Sequence, residues 1–347
     1  MFYRTAESVS PKHPDKLCDR ISDAILDAYF EQDPDARVAA ETCGGHGVVF
    51  VTGEITSTAD VDIPAIVHRI AGDDVEVHTK VVKQSPEIAQ GVDTGGAGDQ
   101  GIMIGYACDE TPEMIPLEVV LSRRLNQFIY GKYPYDGKTQ VTIRPDGKVD
   151  SVVASFQNVS SEDLTKVVSD WLLAQGIVER GRSVVYFTKE ILDNPEKYAL
   201  LFEPSADIRA YINPAGDWNQ GGFDADTGLT GRKLIVDNYG PRVAIGGGCY
   251  SGKDPSKVDR SAAYMARRVA VDYLRERKAH EVLVRLAYAI GYAEPLEKTV
   301  IIDGKPEEVE GYDLTPRGII KFLDLKRPIY EKTAEYGHYG NGFDWDK

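Results

Sequence analysis

The chain has 347 residues, 42% of them hydrophobic, which suits about two domains or one larger composite unit with a sizeable core. No run approaches the roughly 18 apolar residues of a membrane span, and the N-terminus MFYRTAESVS lacks the charged and apolar regions of a secretory signal. A net charge of −15 argues against nucleic acid and membrane as partners, and a triphosphate site would need a local reversal of that charge.

Cys18, Cys43, Cys108 and Cys249 form no CxxC pair. Neither a disulfide framework nor a zinc knuckle is expected, and the cysteine usage fits a reducing, cytoplasmic location. In chain order, residues 16–32 place Leu17, Ile21, Ala24, Ile25 and Ala28 at helical spacing, and Pro14 suits the first turn. Apolar runs at 37–42 and 48–56, joined by GGHG, read as a hairpin, and a short helix follows at 62–71. The same order recurs as a helix at 116–130, strands at 139–145 and 148–157 joined through Asp146-Gly147, and a helix at 160–175. Ser160 and Asp163 occupy capping-box positions in the last of these. The order appears a third time as a helix at 257–276, strands near 281–290 and 297–302, and a helix at 315–323. This repetition predicts an α+β fold of three related helix/β-hairpin units and argues against a βαβ alternation. Two Gly-rich stretches, 91–101 and 216–231, break the pattern, and loops of that length in a compact chain are usually functional or disordered.

Four motifs carry chemistry. GGGCYSGKDPSKVDRS (246–261) nearly matches a phosphate-loop template through Gly247, Gly252 and Lys253, but Asp254 replaces the required hydroxyl and Pro255 interrupts the helix. A Walker-type kinase is therefore only the runner-up. The residue types still suit magnesium polyphosphate: glycines admit a ligand close to backbone, Lys253 and Lys257 supply point charges, and Asp259 a carboxylate. Residues 253–278 hold eight Lys or Arg against four Asp or Glu, the local reversal sought above. HPDK (13–16) sets His13 and Asp15 at a helix start, where an aspartate is ordinarily just a complement to the helix dipole. Arg232-Lys233 closes a Gly-rich loop and is expected to open an apolar strand. GAGDQG (96–101), after KQSPEIAQG (83–91), suits a lid or a small polar substrate.

Together ESVSPKHPDK (7–16), EQDPDARVAAET (31–42), GEIT (53–56), KQSPEI, GAGDQG, TGLTGRK (227–233), SGKDPSKVDRSAAY (251–264) and YAIGYAEP (288–295) resemble the methionine adenosyltransferases, or S-adenosylmethionine synthetases, in a compact bacterial-type form. The resemblance runs in order from about residue 7 to about 345. It implies three pseudo-threefold units, with approximate boundaries of 1–105 and 230–295 interleaved, 106–229, and 296–347. It also implies a reaction. Methionine sulfur attacks C5′ of ATP to give S-adenosylmethionine, and the released triphosphate is hydrolysed to diphosphate and phosphate. The sulfur is already a good nucleophile, so help is needed mainly by the charged leaving group.

Carried over by resemblance, His13, Lys138, Arg232 and Lys253 are the catalytic set facing the triphosphate. Asp136, Trp218, Asp226, Lys233 and Cys249 join them in binding ATP. Glu54, Gln84, Asp99, Asp226 and Lys257 bind methionine. Asp15 and Asp259 hold two Mg²⁺ per site, and Glu41 holds K⁺. A homodimer or homotetramer with the site at the dimer interface is implied. The alternative is a catalytically weak paralogue that binds ATP or S-adenosylmethionine as a regulator. The sequence departs from the family in a shortened gating loop, AQGVDTG (89–95), in Asp217-Trp218 for Arg-Phe, in Cys249-Tyr250 for Ala-Phe, and in Pro11-Lys12 for Glu-Gly.

Overall fold

The structure is a computed structural model that describes residues 2–84, 95–178, 183–197 and 207–347. The shortened loop lies mostly at 85–94, outside the described residues. The chain opens with β1 (Arg4–Val9), α1 (Pro14–Gln32), a hairpin of β2 (Arg37–Gly45) and β3 (Val48–Thr56), α2 (Ile63–Ala71) and β4 (Glu76–Val82). It continues with β5 (Gly101–Cys108), α3 (Leu117–Tyr130), a hairpin of β6 (Gly137–Ile143) and β7 (Val149–Phe156), α4 (Ser161–Ala174), β8 (Val184–Phe187), α5 (Lys189–Asp193) and β9 (Ile208–Ile212). The last part holds β10 (Gly228–Leu229), α6 (Leu234–Asp237), α7 (Val258–Arg277), a hairpin of β11 (Glu281–Tyr288) and β12 (Glu297–Ile302), β13 (Lys305–Glu308), α8 (Pro316–Phe322) and α9 (Thr333–Tyr336).

Local chemistry explains the main boundaries. Pro14 starts α1, and the buried Leu17, Ile21, Ile25 and Leu26 seat it on the core. The hairpin turn between β2 and β3 puts His46 and Gly47 at φ 53° and 81°, the left-handed pair of a two-residue turn. At the start of α4, the Asp163 N–H donates to Ser160 Oγ at 3.1 Å, as the capping box predicts. The apolar strand expected after Arg232-Lys233 is instead the single helical turn α6, whose Asp237 N–H donates to the Lys233 carbonyl at 2.8 Å. Helical winding there satisfies the backbone locally and delivers the Asp237 carboxylate to the buried Lys16 ammonium at 2.7 Å.

The described residues form three sheets, in the orders β10-β2-β3-β4, β1-β6-β7-β9-β8 and β13-β12-β11-β5. Each hairpin's first strand takes an antiparallel neighbour from elsewhere in the chain: β1 pairs β6, β5 pairs β11, and β10 pairs β2. Every strand that precedes a repeat's long helix thus completes the next repeat's sheet, and the exchange closes in a ring. The α+β fold of three related units is therefore present. One buried cluster underlies the first and third sheets, and a second, from Leu121 to Ile212, underlies the middle one.

Candidate active site

His13 is the N-cap of α1, 4% exposed, and its Nδ1 accepts the Asp15 N–H at 3.2 Å. Burial, reinforced by the charges of Lys233 and Lys138, pushes the imidazole down to about 3, so the ring is neutral. With Nδ1 accepting, the ring hydrogen is assigned to Nε2, which becomes a donor. Asp15 is fully buried. Its Oδ1 accepts from Leu229 N–H at 2.9 Å and meets Arg232 Nε at 3.1 Å, while Oδ2 pairs with Lys233. Burial works against the charged form, but the bonds from Lys233 and Leu229 outweigh it and hold the carboxyl below its usual range. The charges of Lys138 and Asp226 also act on His13.

Sequence reasoning missed what aligns these groups. Asp15, Asp19, Asp23 and Asp27 recur every fourth residue along one face of α1. Each accepts backbone N–H groups from distant loops: Asp15 from Leu229, Asp19 from Gly231 at 2.8 Å, Asp23 from Gly252 at 2.8 Å, and Asp27 from Tyr330 at 2.9 Å and Glu331 at 2.8 Å. The stripe pins both cation-bearing loops to one helix. The signal was readable as acids spaced i, i+4, which on their own look like a solvated face.

The second cluster sits on the turn 251–257. Gly252 adopts φ 80°, and a Cβ there would lie 1.9 Å from the Ala40 carbonyl, so only glycine fits. Asp254 is a staple: its Oδ2 accepts the Val38 N–H at 2.7 Å and pairs with Lys257. The helix starts only at Val258, with Lys257 as its N-cap. The Walker reading is thereby corrected, because Lys253 lies outside any helix N-terminus and bridges to Ala39 in antiparallel register. Lys253 Nζ meets Asp259 Oδ2 at 2.7 Å. Burial would lower the Lys253 ammonium, but Cys249 and Asp259 raise it above its ordinary value. The charge of Asp99 also acts on Lys253, and that of Glu41 on Cys249. Burial raises the Cys249 thiol, as suits a contact residue and not a nucleophile. The two clusters adjoin where Gly231 backs onto Cys249, a Cβ at Gly231 falling 2.5 Å from Cys249 Cβ.

The remaining candidates lie around these. Strand register aligns Lys253, Ala39, Glu54 and Val82 in one row across the first sheet, and Glu41, Thr52 and Lys80 in the next. Gln84 Oε1 is buried with no hydrogen-bond partner among the described residues. Asp136 Oδ2 accepts the Gly222 N–H at 3.0 Å, and burial raises its carboxyl. Trp218 Nε1 donates to Ser155 Oγ at 3.2 Å. Lys257 is held by Asp254.

The donor set can be tested against Mg²⁺, a hard cation that takes one or two carboxylates plus substrate phosphates. Among the described residues no group of three or more His, Cys, Asp or Glu is preassembled as a metal cage. Asp15 and Asp259 are each a buried single carboxylate beside a cation, the pattern that requirement describes. Gly248 supplies the space, since a Cβ there would fall 2.1 Å from Asp259 Oδ1. The residues fit.

The fold is a ring of three strand-exchanged units that brings buried carboxylates together with lysines and arginines. Its three parts match family models in order: the S-adenosylmethionine synthetase N-terminal domain over residues 1–86, the central domain over 94–218 and the C-terminal domain over 220–347. The chain belongs to the S-adenosylmethionine synthetase family. It is a methionine adenosyltransferase, which binds ATP and methionine and uses metal ions. The complete domain set gives no support to a binding-only regulator. No helix among the described residues is long and apolar enough to cross a membrane.

Proposed function

We propose that the Asp15 cluster of one subunit and the Asp259 cluster of its partner together form one site for Mg²⁺–ATP and methionine at a homodimer interface. The observation that carries this reading is the exchange-ready pairing: Asp15 with Arg232 and Lys233, and Asp259 with Lys253. When the triphosphate enters, Arg232, Lys233 and Lys253 turn from their carboxylates to phosphate oxygens, which frees Asp15 and Asp259. Asp15 and Asp259 would hold Mg²⁺, which would supply charge neutralisation for the departing triphosphate. His13 Nε2–H, Lys138, Arg232, Lys233 and Lys253 hydrogen-bond the leaving oxygens as negative charge develops on them. Trp218 stacks on adenine, Asp136 and Cys249 line the nucleotide, and Asp226 bridges it to methionine. Glu54, Asp99, Lys257 and the orphaned acceptor of Gln84 orient methionine, and Glu41 takes K⁺. With the sulfur held in line with C5′, no side-chain nucleophile is needed. The same cation set then holds the triphosphate for hydrolysis to diphosphate and phosphate.

The homodimer is supported by the open face of the first sheet. Register aligns Leu229, Cys43, Phe50 and His78 across four strands, with Leu229 37% and Phe50 52% exposed. Phe50 and His78 stack at 4.9 Å, and Val82 is 48% exposed beside Glu54. Apolar rows interleaved with Glu41, Glu54 and Lys253 suit a partner copy, not water. Complementation tests this. His13→Ala and Lys253→Ala are each expected to keep about 1% of wild-type activity or less. Subunits of the two, mixed and reassembled, should recover roughly a quarter of wild-type activity, because mixed dimers hold one intact site. No recovery, with mixed dimers demonstrated by mass, would contradict a shared site.

A further inference from the structure

Asp217 stands immediately before Trp218, and its surroundings are specific. Its Oδ1 accepts from Ser161 N–H at 3.0 Å, Ser161 Oγ at 2.5 Å and Asn213 Nδ2 at 3.1 Å. Ser161 is the first residue of α4, whose N–H has no partner within the helix. Asn213 is fully buried, donates to the Val159 carbonyl at 2.9 Å and accepts the Phe156 N–H at 3.1 Å. The Trp218 carbonyl accepts the Asn158 N–H at 2.9 Å. Residues 213–218 therefore clasp the corner where β7 turns into α4, and Asp217 is the clasp's charged member. Burial opposes the carboxylate, but the bonds from Ser161 and Asn213 hold it below its usual range.

We propose that Asp217 is a positioning residue for ATP, fastening the loop to α4 so that the Trp218 ring is held where adenine stacks. The proposal rests on the stacking role of Trp218. An aspartate fits here and a basic residue would not, because the site offers three donors and the positive end of a helix. The Trp218 ring is fixed at its indole donor, to Ser155, and the Asp217 tie fixes the backbone that carries it.

A mere helix cap and a positioning residue are separable by what changes. Trp171 and Trp345 are 1% and 0% exposed, so acrylamide quenching of tryptophan fluorescence reports Trp218. In the wild-type enzyme, ATP should shield Trp218 from acrylamide. Asp217→Ala should raise the KM for ATP, and the ATP concentration needed for shielding, by about fivefold while the KM for methionine holds. Asp217→Asn should restore both, since its amide oxygen accepts the same three hydrogen bonds. A lower Tm in Asp217→Ala with unchanged ATP parameters would overturn the proposal and leave a cap. So would an Asp217→Asn variant as impaired as Asp217→Ala. An unchanged KM for ATP in Trp218→Ala would instead overturn the stacking role on which the proposal rests.

Discussion

At Lys253 the ammonium faces Asp259 at 2.7 Å, and its turn is bridged to Ala39 of the first sheet. A charge held this way is preorganised for a triphosphate and needs little rearrangement when one arrives. Lys253→Ala should therefore lower kcat roughly 100- to 1,000-fold, the usual cost of one such donor, while circular dichroism stays native. A near-normal rate would show that the ammonium does not face the leaving group. Motif spacing made His13, Asp15, Lys253 and Asp259 legible as candidates. It did not reveal Asp254 as a staple, because its partner Val38 lies 216 residues earlier. It also left the Asp217 partner open, since Ser161 and Asn213 meet only through the folded corner.

The most consequential element is α1. Its apolar positions announced a helix, but the partners of its aspartates stayed hidden, because a helix alone does not show what packs on it. Their partners are loops from the far end of the chain. Asp23 holds Gly252 N–H and also forms a two-pronged pair with Arg260, at 2.6 and 2.9 Å, in which both side chains are fully buried. Removing one partner strands the other charge. Asp23→Ala should cost about 3–5 kcal/mol in thermal or denaturant unfolding. At a temperature where the fold persists, it should also reduce turnover by loosening the turn that carries Lys253. A stability loss below about 1 kcal/mol would contradict a buried structural pair. α6 shows the opposite limit: Leu-Ile-Val reads as a strand by composition, and tertiary demand wound it into a helical turn.

For the whole molecule, the threefold repetition was legible because each unit's periodicity switches from helix to hairpin and back. The ring of exchanged strands was not, because pairing β1 with β6 or β10 with β2 leaves no mark on local pattern. The exchange locks the units together, and the C-terminal segment closes over it. There His338 is buried, with Nδ1 2.8 Å from Tyr264 OH. Burial, then the charges of Arg260, Lys16 and Arg123, hold its imidazole well below the ordinary value. The folded ring stays neutral while the unfolded one takes a proton below about pH 6.5. Stability from this group is thus present at neutral pH and falls as pH drops. Melting temperature should decline between about pH 6.5 and 5, and His338→Gln should flatten that slope; an unchanged slope would contradict the assignment.

The central claim is that this three-unit fold makes S-adenosylmethionine by expelling an intact triphosphate from ATP. The most direct test is to incubate the purified protein with ATP, methionine, Mg²⁺ and K⁺ and to quantify products by chromatography. The account predicts S-adenosylmethionine with equal amounts of diphosphate and phosphate, all abolished by a chelator and formed roughly 100- to 1,000-fold more slowly by Lys253→Ala. Hydrolysis of ATP without S-adenosylmethionine, or no product at saturating substrates, would contradict it.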